Sequence, residues 1–375
     1  MVTGGFAFTQ HQSLSETGAS TFTEALPLSN LVLERPASAR PATEYAELKR
    51  IIREHGLFKS QPAYYVMKSV VTASLLAVAI GIVLFVSNPI VLLLDAAFFG
   101  FVSTQVGLLA HDVGHRQGFR GRRMNAIARY FFGNVLLGVS QSWWNVKHNQ
   151  HHATPNHVDD DPDIQFPMIV FSPDQIANRP RWLHPAIAIQ AFVFPLLLPF
   201  QALNMRMSSA QHLFAPDARK RFLQALLLAT HVALYAALLI WIGNWPIAVG
   251  FFLIHQMTFG LYNSSVFASN HKGMPLTDEG RRMGFLYEQV LTSRNVRANP
   301  LTDFWYGGLN YQIEHHLFPS LPRNRLRQAQ KLVRQFCDDH GISYHSTGLI
   351  ESYAEILQHL HQVSAPLRQR KTATA

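Results

Sequence analysis

The sequence predicts an all-α integral membrane protein: four transmembrane helices as two hairpins, with interfacial helices and a histidine-rich cap on the cytoplasmic side. Three observations lead there. Charged residues make up 15% of the chain, against about a quarter in an ordinary soluble domain. Residues 222–270 contain no Asp, Glu, Lys or Arg. Seven of the 19 His fall in three short clusters downstream of apolar stretches.

A helical span needs about 20 apolar residues. The uncharged run at 222–270 is twice that length and is interrupted by Gly243-Asn244-Trp245-Pro246, a turn signature. It therefore reads as a hairpin of helices over 222–242 and 246–267. An earlier hairpin has the same form. Residues 69–86 are uncharged, Ser87-Asn88-Pro89 breaks them, and 90–110 continues with Asp95 as the one charge. Two further apolar stretches are less regular. Residues 130–146 hold Asn134, Gln141 and Asn145, and 182–205 hold Pro185, Pro195 and Pro199, so both are expected to be interfacial or re-entrant.

Orientation follows from the basic residues. The two tight turns carry none, whereas Lys49, Arg50, Arg53, Lys59 and Lys68 precede the first hairpin and Arg116, Arg120, Arg122, Arg123 and Arg129 follow it. Arg219-Lys220-Arg221 and the basic C-terminal region flank the second. Both hairpins are thus expected to enter from and return to the cytoplasm. Residues 1–60 read as a cytoplasmic, partly disordered tail without a cleavable signal, 61–335 as the membrane domain, and 336–375 as a cytoplasmic helix and tail.

Composition removes several classes. Hydrophobic content of 48% is too high for a disordered chain. The lone Cys337 excludes a disulfide scaffold, an iron–sulfur protein and a four-cysteine zinc module. The net charge of +9 admits nucleic acid, anionic lipid or an acidic protein as partner, but no nucleic-acid-binding motif accompanies it.

The histidines supply the chemistry. HDVGH at 111–115, HNQHH at 148–152 and QIEHH at 312–316 use spacings of three or four, which put side chains on one helix face. Imidazole is a good ligand for iron, zinc and copper. Seven His exceed what one tetrahedral ion can use, so two ions are the simplest count. The clusters can form one site only if an even number of spans separates each pair, which again gives four spans and places all three on one side. His231 and His255 lie mid-span at similar depth on antiparallel helices, where they are expected to face the bundle within hydrogen-bonding reach of one another. His184, His212, His340, His345, His359 and His361 read as surface residues. Trp143, Trp144, Trp182, Trp305 and Tyr306 suit the membrane interface.

The three clusters, in this order around two hydrophobic hairpins, resemble the integral-membrane fatty acid desaturase family over roughly residues 60–335. The third box extends as GGLNYQIEHHLFP at 307–319. Its leading Gln is similar to a subgroup that includes front-end and some bacterial acyl desaturases, which differ in regioselectivity. The resemblance implies a non-haem di-iron centre (two Fe), O2 as co-substrate, two electrons and a fatty acyl chain held in a tunnel. By matching position, His111, His115, His148, His151, His152, His315 and His316 would be iron ligands. The family uses a further His between the second and third boxes, which here would be His271. Asp112, Asp161, Asp163, Gln312 and His157 are candidates to orient the ligating rings, Asp161 and Asp163 resembling the family's acidic pair. A hydroxylase on the same scaffold is the rival enzyme, and a histidine-lined metal transporter the rival from another class.

No HPGG-type haem segment, no dinucleotide fingerprint and no fused ferredoxin is found, so no haem or flavin is expected in this chain. Electrons would come from a separate donor of ferredoxin, cytochrome b5 or flavin reductase type. The basic amphipathic stretch at 323–334 could dock an acidic carrier or lie on anionic lipid. The excess of Arg over Lys points to a GC-rich genome and hence to a bacterial inner membrane.

Overall fold

The computed structural model describes residues 41–119, 121–281 and 283–372. The expected N-terminal tail therefore lies outside the described residues up to position 40. Its remainder begins with helix α1 (Pro41–Glu54), whose Leu48 and Ile52 are fully buried.

Helices α2 (Pro62–Phe85) and α3 (Pro89–Gly114) follow and pack on one another. The break between them is built from the residues that signalled it. Pro89 takes the first helical position, where its missing N–H costs nothing, and the Asn88 side chain accepts from the N–H groups of Ile90 and Val91. Next come α4 (Arg122–Arg129), a wide π-turn at Tyr130–Leu136 and α5 (Gln141–Ala153). The stretch at 130–146 is thus divided. Gly138 adopts φ +69, and the Ser140 hydroxyl caps α5 through the N–H of Trp143.

The proline-rich stretch forms α6 (His184–Ala188), α7 (Gln190–Leu197) and, after a 3-10 turn at Leu198–Phe200, α8 (Gln201–His212). The chain turns through 90° between 188 and 190. Helices α9 (Arg221–Trp241) and α10 (Trp245–His271) are joined through Gly243, at φ +68, and the Asn244 side chain caps α10.

Among the described residues, α2, α3 and α9 are long and apolar enough to cross a membrane, and the bent segment at 181–212 meets the same test only as a pair of helices, the form of a broken span or a re-entrant loop. Helix α10 is longer than α2 or α3 but falls short in apolarity: it carries His255 and Gln256 at mid-length and Asn263, Ser264, Ser265, Ser269 and Asn270 beyond them. Those residues are mostly buried, since α10 is the central helix and packs on α3, α8 and the turn at 198–200. Two glycines permit the close approach. A Cβ at Gly100 would lie 2.8 Å from Thr258 Cβ on α10, and one at Gly260 would lie 1.9 Å from the Pro199 carbonyl oxygen. The outward faces of α2 and α9 show Val66, Val70, Phe85, Phe222, Leu226, Val232 and Ile240. A contiguous apolar surface of this extent belongs against lipid.

The remaining elements form a layer over one end of the bundle: α11 (Phe285–Leu291), α12 (Pro300–Tyr306), α13 (Gln312–Leu317), α14 (Leu326–Asp339), α15 (Leu349–Val363) and α16 (Ala365–Thr372). A two-residue parallel pair, Asn295–Val296 with Ser346–Thr347, ties them together. Helices α1, α11, α13 and α14 share a core that includes Leu48, Leu286, Ile313, Leu317 and Val333. The apolar face of α14 is spent in that core, with Leu326, Ala329, Val333 and Phe336 buried, so it has no apolar face to insert into lipid.

His231 and His255 both point inward but do not bond one another. His255 bonds Ser103 Oγ and Tyr235 Oη, while His231 Nδ1 bonds the Val135 carbonyl. Tyr235, one turn from His231, takes the intervening space. His359, read as a surface residue, is buried, with Nε2 on the Phe171 carbonyl.

Candidate metal centre

The last turn of α3 carries His111 and, just past its end, His115. Helix α5 carries His148, His151 and His152, α10 ends at His271, and α13 carries His315 and His316. Four separate helices therefore bring these rings to one point. Candidate ligand nitrogens of His111, His115, His148 and His315 all lie within 4.8 Å of one another, and so do those of His151, His271 and His316. His152 sits between the groups, its Nε2 3.1 Å from His148 Nε2 and its ring stacked on His316.

Ring tautomers follow from the outer hydrogen bonds. His271 Nδ1 lies 3.1 Å from the Thr292 carbonyl, His316 Nδ1 2.8 Å from Gln289 Oε1, and His151 Nδ1 3.1 Å from both Asp161 oxygens. Each acceptor draws the proton to Nδ1 and leaves an Nε2 lone pair facing inward. His271 Nε2 and His316 Nε2 then oppose each other at 2.9 Å. His115 Nε2 and His148 Nε2 do so at 2.8 Å. Both nitrogens of His111 and of His315 are buried without a hydrogen-bond partner. Unpartnered buried nitrogens and convergent lone pairs are costly unless a cation completes them. Burial and the neighbouring imidazoles also hold His148, His152, His315 and His316 well below the ordinary histidine range, so these rings stay neutral. The residues fit a pair of metal ions.

The candidates for orienting the rings divide. Asp161 is fully buried; burial would raise its pKa, but His151 and the Asn156 N–H prevail and hold it down to about 2. Asp163 is half-buried, 3.5 Å from His151 Nδ1, and ion-paired with Lys147. Gln312 places Nε2 2.9 Å from His271 Nε2 while its Oε1 accepts from Asn270. Asp112 does not orient a ring. It stands 3.6 Å from His111 Nδ1 and is instead ion-paired at 2.7 Å with Arg323, a residue the sequence placed on an exposed basic helix. His157 does not reach the cluster either. It is buried in a bridge to Thr277 and accepts from the N–H groups of Asp159 and Asp160.

Sequence reasoning missed Gln289 and Thr292. Gln289, a buried uncharged polar residue in α11, acts through its side chain, and its polarity was the signal available; Thr292, just past the end of α11, acts through its backbone carbonyl, for which residue type gives no signal. Glu314, inside the third box, faces away from the rings and accepts from Asn295 and Tyr344; burial pushes it up to about 7.

One cavity, about 190 Å³ in volume, reaches the cluster at His111, His148, His151 and His271. Its outer rim holds the partly exposed Lys147, Asp163, Phe166 and Lys272, and its inner end is closed by the buried Gly133, Leu137, Val139 and Phe259. Along α10, Phe259 lies about 18 Å from His271 at 1.5 Å per residue.

Fold and site together define a helical membrane protein with a buried polyhistidine centre beside an apolar cavity closed at its inner end. Residues 87–348 match the family model described as "Fatty acid desaturase". The Delta(6)-fatty-acid desaturase of Caenorhabditis elegans is 30% identical over 87% of this chain and 76% of its own length. An acyl-lipid (9-3)-desaturase of Physcomitrium patens is 29% identical over 88% of this chain and 65% of its own length. A Delta(8)-fatty-acid desaturase of Euglena gracilis is 29% identical over 89% and 83% respectively. The chain belongs to the fatty acid desaturase family and is an enzyme of that family. These relatives are eukaryotic and lend no support to the expectation of a bacterial inner membrane.

Proposed function

We propose that the protein introduces a double bond into a fatty acyl chain, using O2 and two electrons from a separate donor protein, at a centre of two non-haem iron ions. The ligands would be His111, His115, His148 and His315 for one ion and His151, His271 and His316 for the other, with His152 between them. The observation that carries this reading is the inward convergence of Nε2 atoms, those of His271 and His316 with their lone pairs facing, beside an apolar cavity closed at its inner end. Bound iron with O2 supplies an oxidant strong enough to take hydrogen from an unactivated methylene, which no side chain can do.

The chain's own residues do the rest. Asp161, Gln289 and the Thr292 carbonyl fix the rings by holding a proton on each Nδ1. The wall residues Leu137, Phe194, Leu198, Phe259 and Phe267 exclude water and hold the acyl chain extended past the cluster. The headgroup end would lie at the rim and the methyl end at Phe259. Overall, –CH2–CH2– plus O2, two electrons and two protons gives –CH=CH– plus two waters.

The topology we propose is two hairpins, α2–α3 and α9–α10, with the histidine-bearing ends in the cytoplasm. The basic flanking residues and the uncharged turns support it. A transporter would string its ionisable groups through the bilayer, whereas these rings gather at one end of the bundle. The test is expression in a host of defined lipid profile with a supplied electron donor, followed by mapping of new double bonds. An unchanged profile together with iron content well below two per chain would overturn the proposal. A hydroxylated acyl chain would convert it to the rival outcome.

A further inference from the structure

Resting on that reading, we infer that a small basic cleft beside the first histidine box is where the electron-donor protein docks, by an acidic side chain. The cleft, about 180 Å³, is lined by Ser60, Arg116, Gln117, Arg122, Asn125 and Ser320 among others. Two of the three box segments surface there together. Arg116 and Gln117 directly follow His115, and Ser320 comes four residues after His316.

The polar groups of the cleft are unequally occupied. Gln117 is buried and committed, accepting from Tyr65 Oη at 2.8 Å and donating to the Pro319 carbonyl at 2.7 Å. Asn125 is committed to the carbonyls of Phe119 and Gly121. Ser60 Oγ, by contrast, is buried without a partner. The guanidinium groups of Arg116 and Arg122 are on exposed residues, and among the described residues no carboxylate lines the cleft. Arg116 holds a left-handed backbone at φ +60, a conformation that costs a non-glycine residue free energy and persists where the surroundings impose it. A ligand with an anionic oxygen fits this donor set.

The occupant follows from α4. Arg122, Asn125 and Arg129 recur at helical spacing on one face. Met124 and Ile127, both about half exposed, lie on the opposite face, which is the apolar one. Arg122 therefore points away from the apolar side of its helix, the side suited to lipid, which favours a soluble partner over a lipid headgroup. Position favours an electron carrier among soluble partners. Gln117 bonds Tyr65, Tyr65 bonds the N–H of Arg323, and Arg323 pairs with Asp112, next to His111. A carrier seated here is within one residue of His115 along the chain. Each encounter would oxidise the carrier by one electron and reduce the centre by one, two encounters serving each turnover.

The experiment uses the full chain in lipid nanodiscs with an R116E/R122E double variant, and K331E/R334E on the outer face of α14 as the comparison. Binding of a [2Fe–2S] ferredoxin and of a cytochrome b5 is titrated at low and high salt, and turnover is driven separately by carrier and by dithionite. For at least one carrier, R116E/R122E should weaken binding about tenfold or more and flatten its salt dependence. Carrier-driven turnover should fall with binding while dithionite-driven turnover persists, and K331E/R334E should change neither. Wild-type binding and salt dependence in R116E/R122E would overturn the inference, as would failure of the wild type to bind either carrier. Loss of binding to anionic vesicles with carrier binding intact would assign the cleft to a lipid headgroup instead. Wild-type protein that binds a carrier but never desaturates, even with dithionite, would fail the functional reading and leave the docking result standing.

Discussion

His271 Nε2 and His316 Nε2 face each other at 2.9 Å while each ring commits its Nδ1 proton elsewhere, to Thr292 O and Gln289 Oε1. Two lone pairs at that distance repel unless a cation joins them, so the outer acceptors are part of what makes the pair a metal site. Removing the acceptor frees the tautomer. Gln289→Leu should lower metal affinity about 10- to 100-fold, read by metal analysis against a competing chelator, whereas Gln289→Glu, which keeps an acceptor, should retain most of it. Equal affinity in Gln289→Leu and wild type would show that the tautomer is set by something else.

Asp161 and Asp163 make a graded comparison. Asp161 is fully buried and shares both oxygens with His151 Nδ1, also accepting from the N–H groups of Asn156 and Asp163. Asp163 is about a third exposed and ion-paired with Lys147. Asp161→Asn should therefore lower metal affinity about 10- to 100-fold, and Asp163→Asn by a few-fold at most. A larger loss for Asp163 in the same chelator competition would reverse the assignment.

The histidines were legible because spacing along a helix fixes which side chains share a face, and this needs no tertiary knowledge. Their supports were not. Gln289 and Thr292 belong to no motif, and their role arises only where α11 passes behind α10 and α13. Asp112 was misread for a related reason. Its neighbour in sequence is His111, but its partner Arg323 lies 211 residues away, within a stretch whose composition looked like an exposed basic helix. Periodicity could have separated these, since Arg327, Lys331 and Arg334 fall on the exposed face of α14 and Arg323 precedes it. The irregularity of 130–146 was visible as Asn134, Gln141 and Asn145, but not the turn at Gly138 and Ser140 that divides it, and α10 tolerates its polar residues because its neighbours bury them, which hydropathy does not see.

The Asp112–Arg323 pair gives a stability prediction. Both side chains are over nine-tenths buried, and Arg323 also donates to the Leu108 carbonyl within α3. Removing one partner leaves a buried charge uncompensated, so Arg323→Ala should destabilise the protein by about 3–5 kcal/mol. The Asp112→Asn/Arg323→Gln double variant, which buries no unpaired charge, should recover much of that loss. Thermal unfolding in one detergent compares the three, and a double variant as unstable as Arg323→Ala would remove the charge argument.

Gly107 tests the path of the acyl chain. It lies one turn before His111 and lines the cavity, and a Cβ there would meet only Leu137 Cδ1, at 3.8 Å. Glycine inside a helix costs about 0.5–1 kcal/mol relative to alanine, and here the fold has room for a larger side chain, which would take up space in the cavity. Gly107→Ala should accordingly be neutral or slightly stabilising. Gly107→Leu should fold but project into the cavity between the cluster and its closed end at Phe259, the part assigned to the methyl end. The expected outcome is a shift of products toward shorter chains with metal content unchanged, read by competition between acyl substrates of graded length. If Gly107→Leu kept the wild-type length preference, the methyl end would have to run elsewhere; if it lost metal, the side chain would be acting on His111 rather than on the substrate.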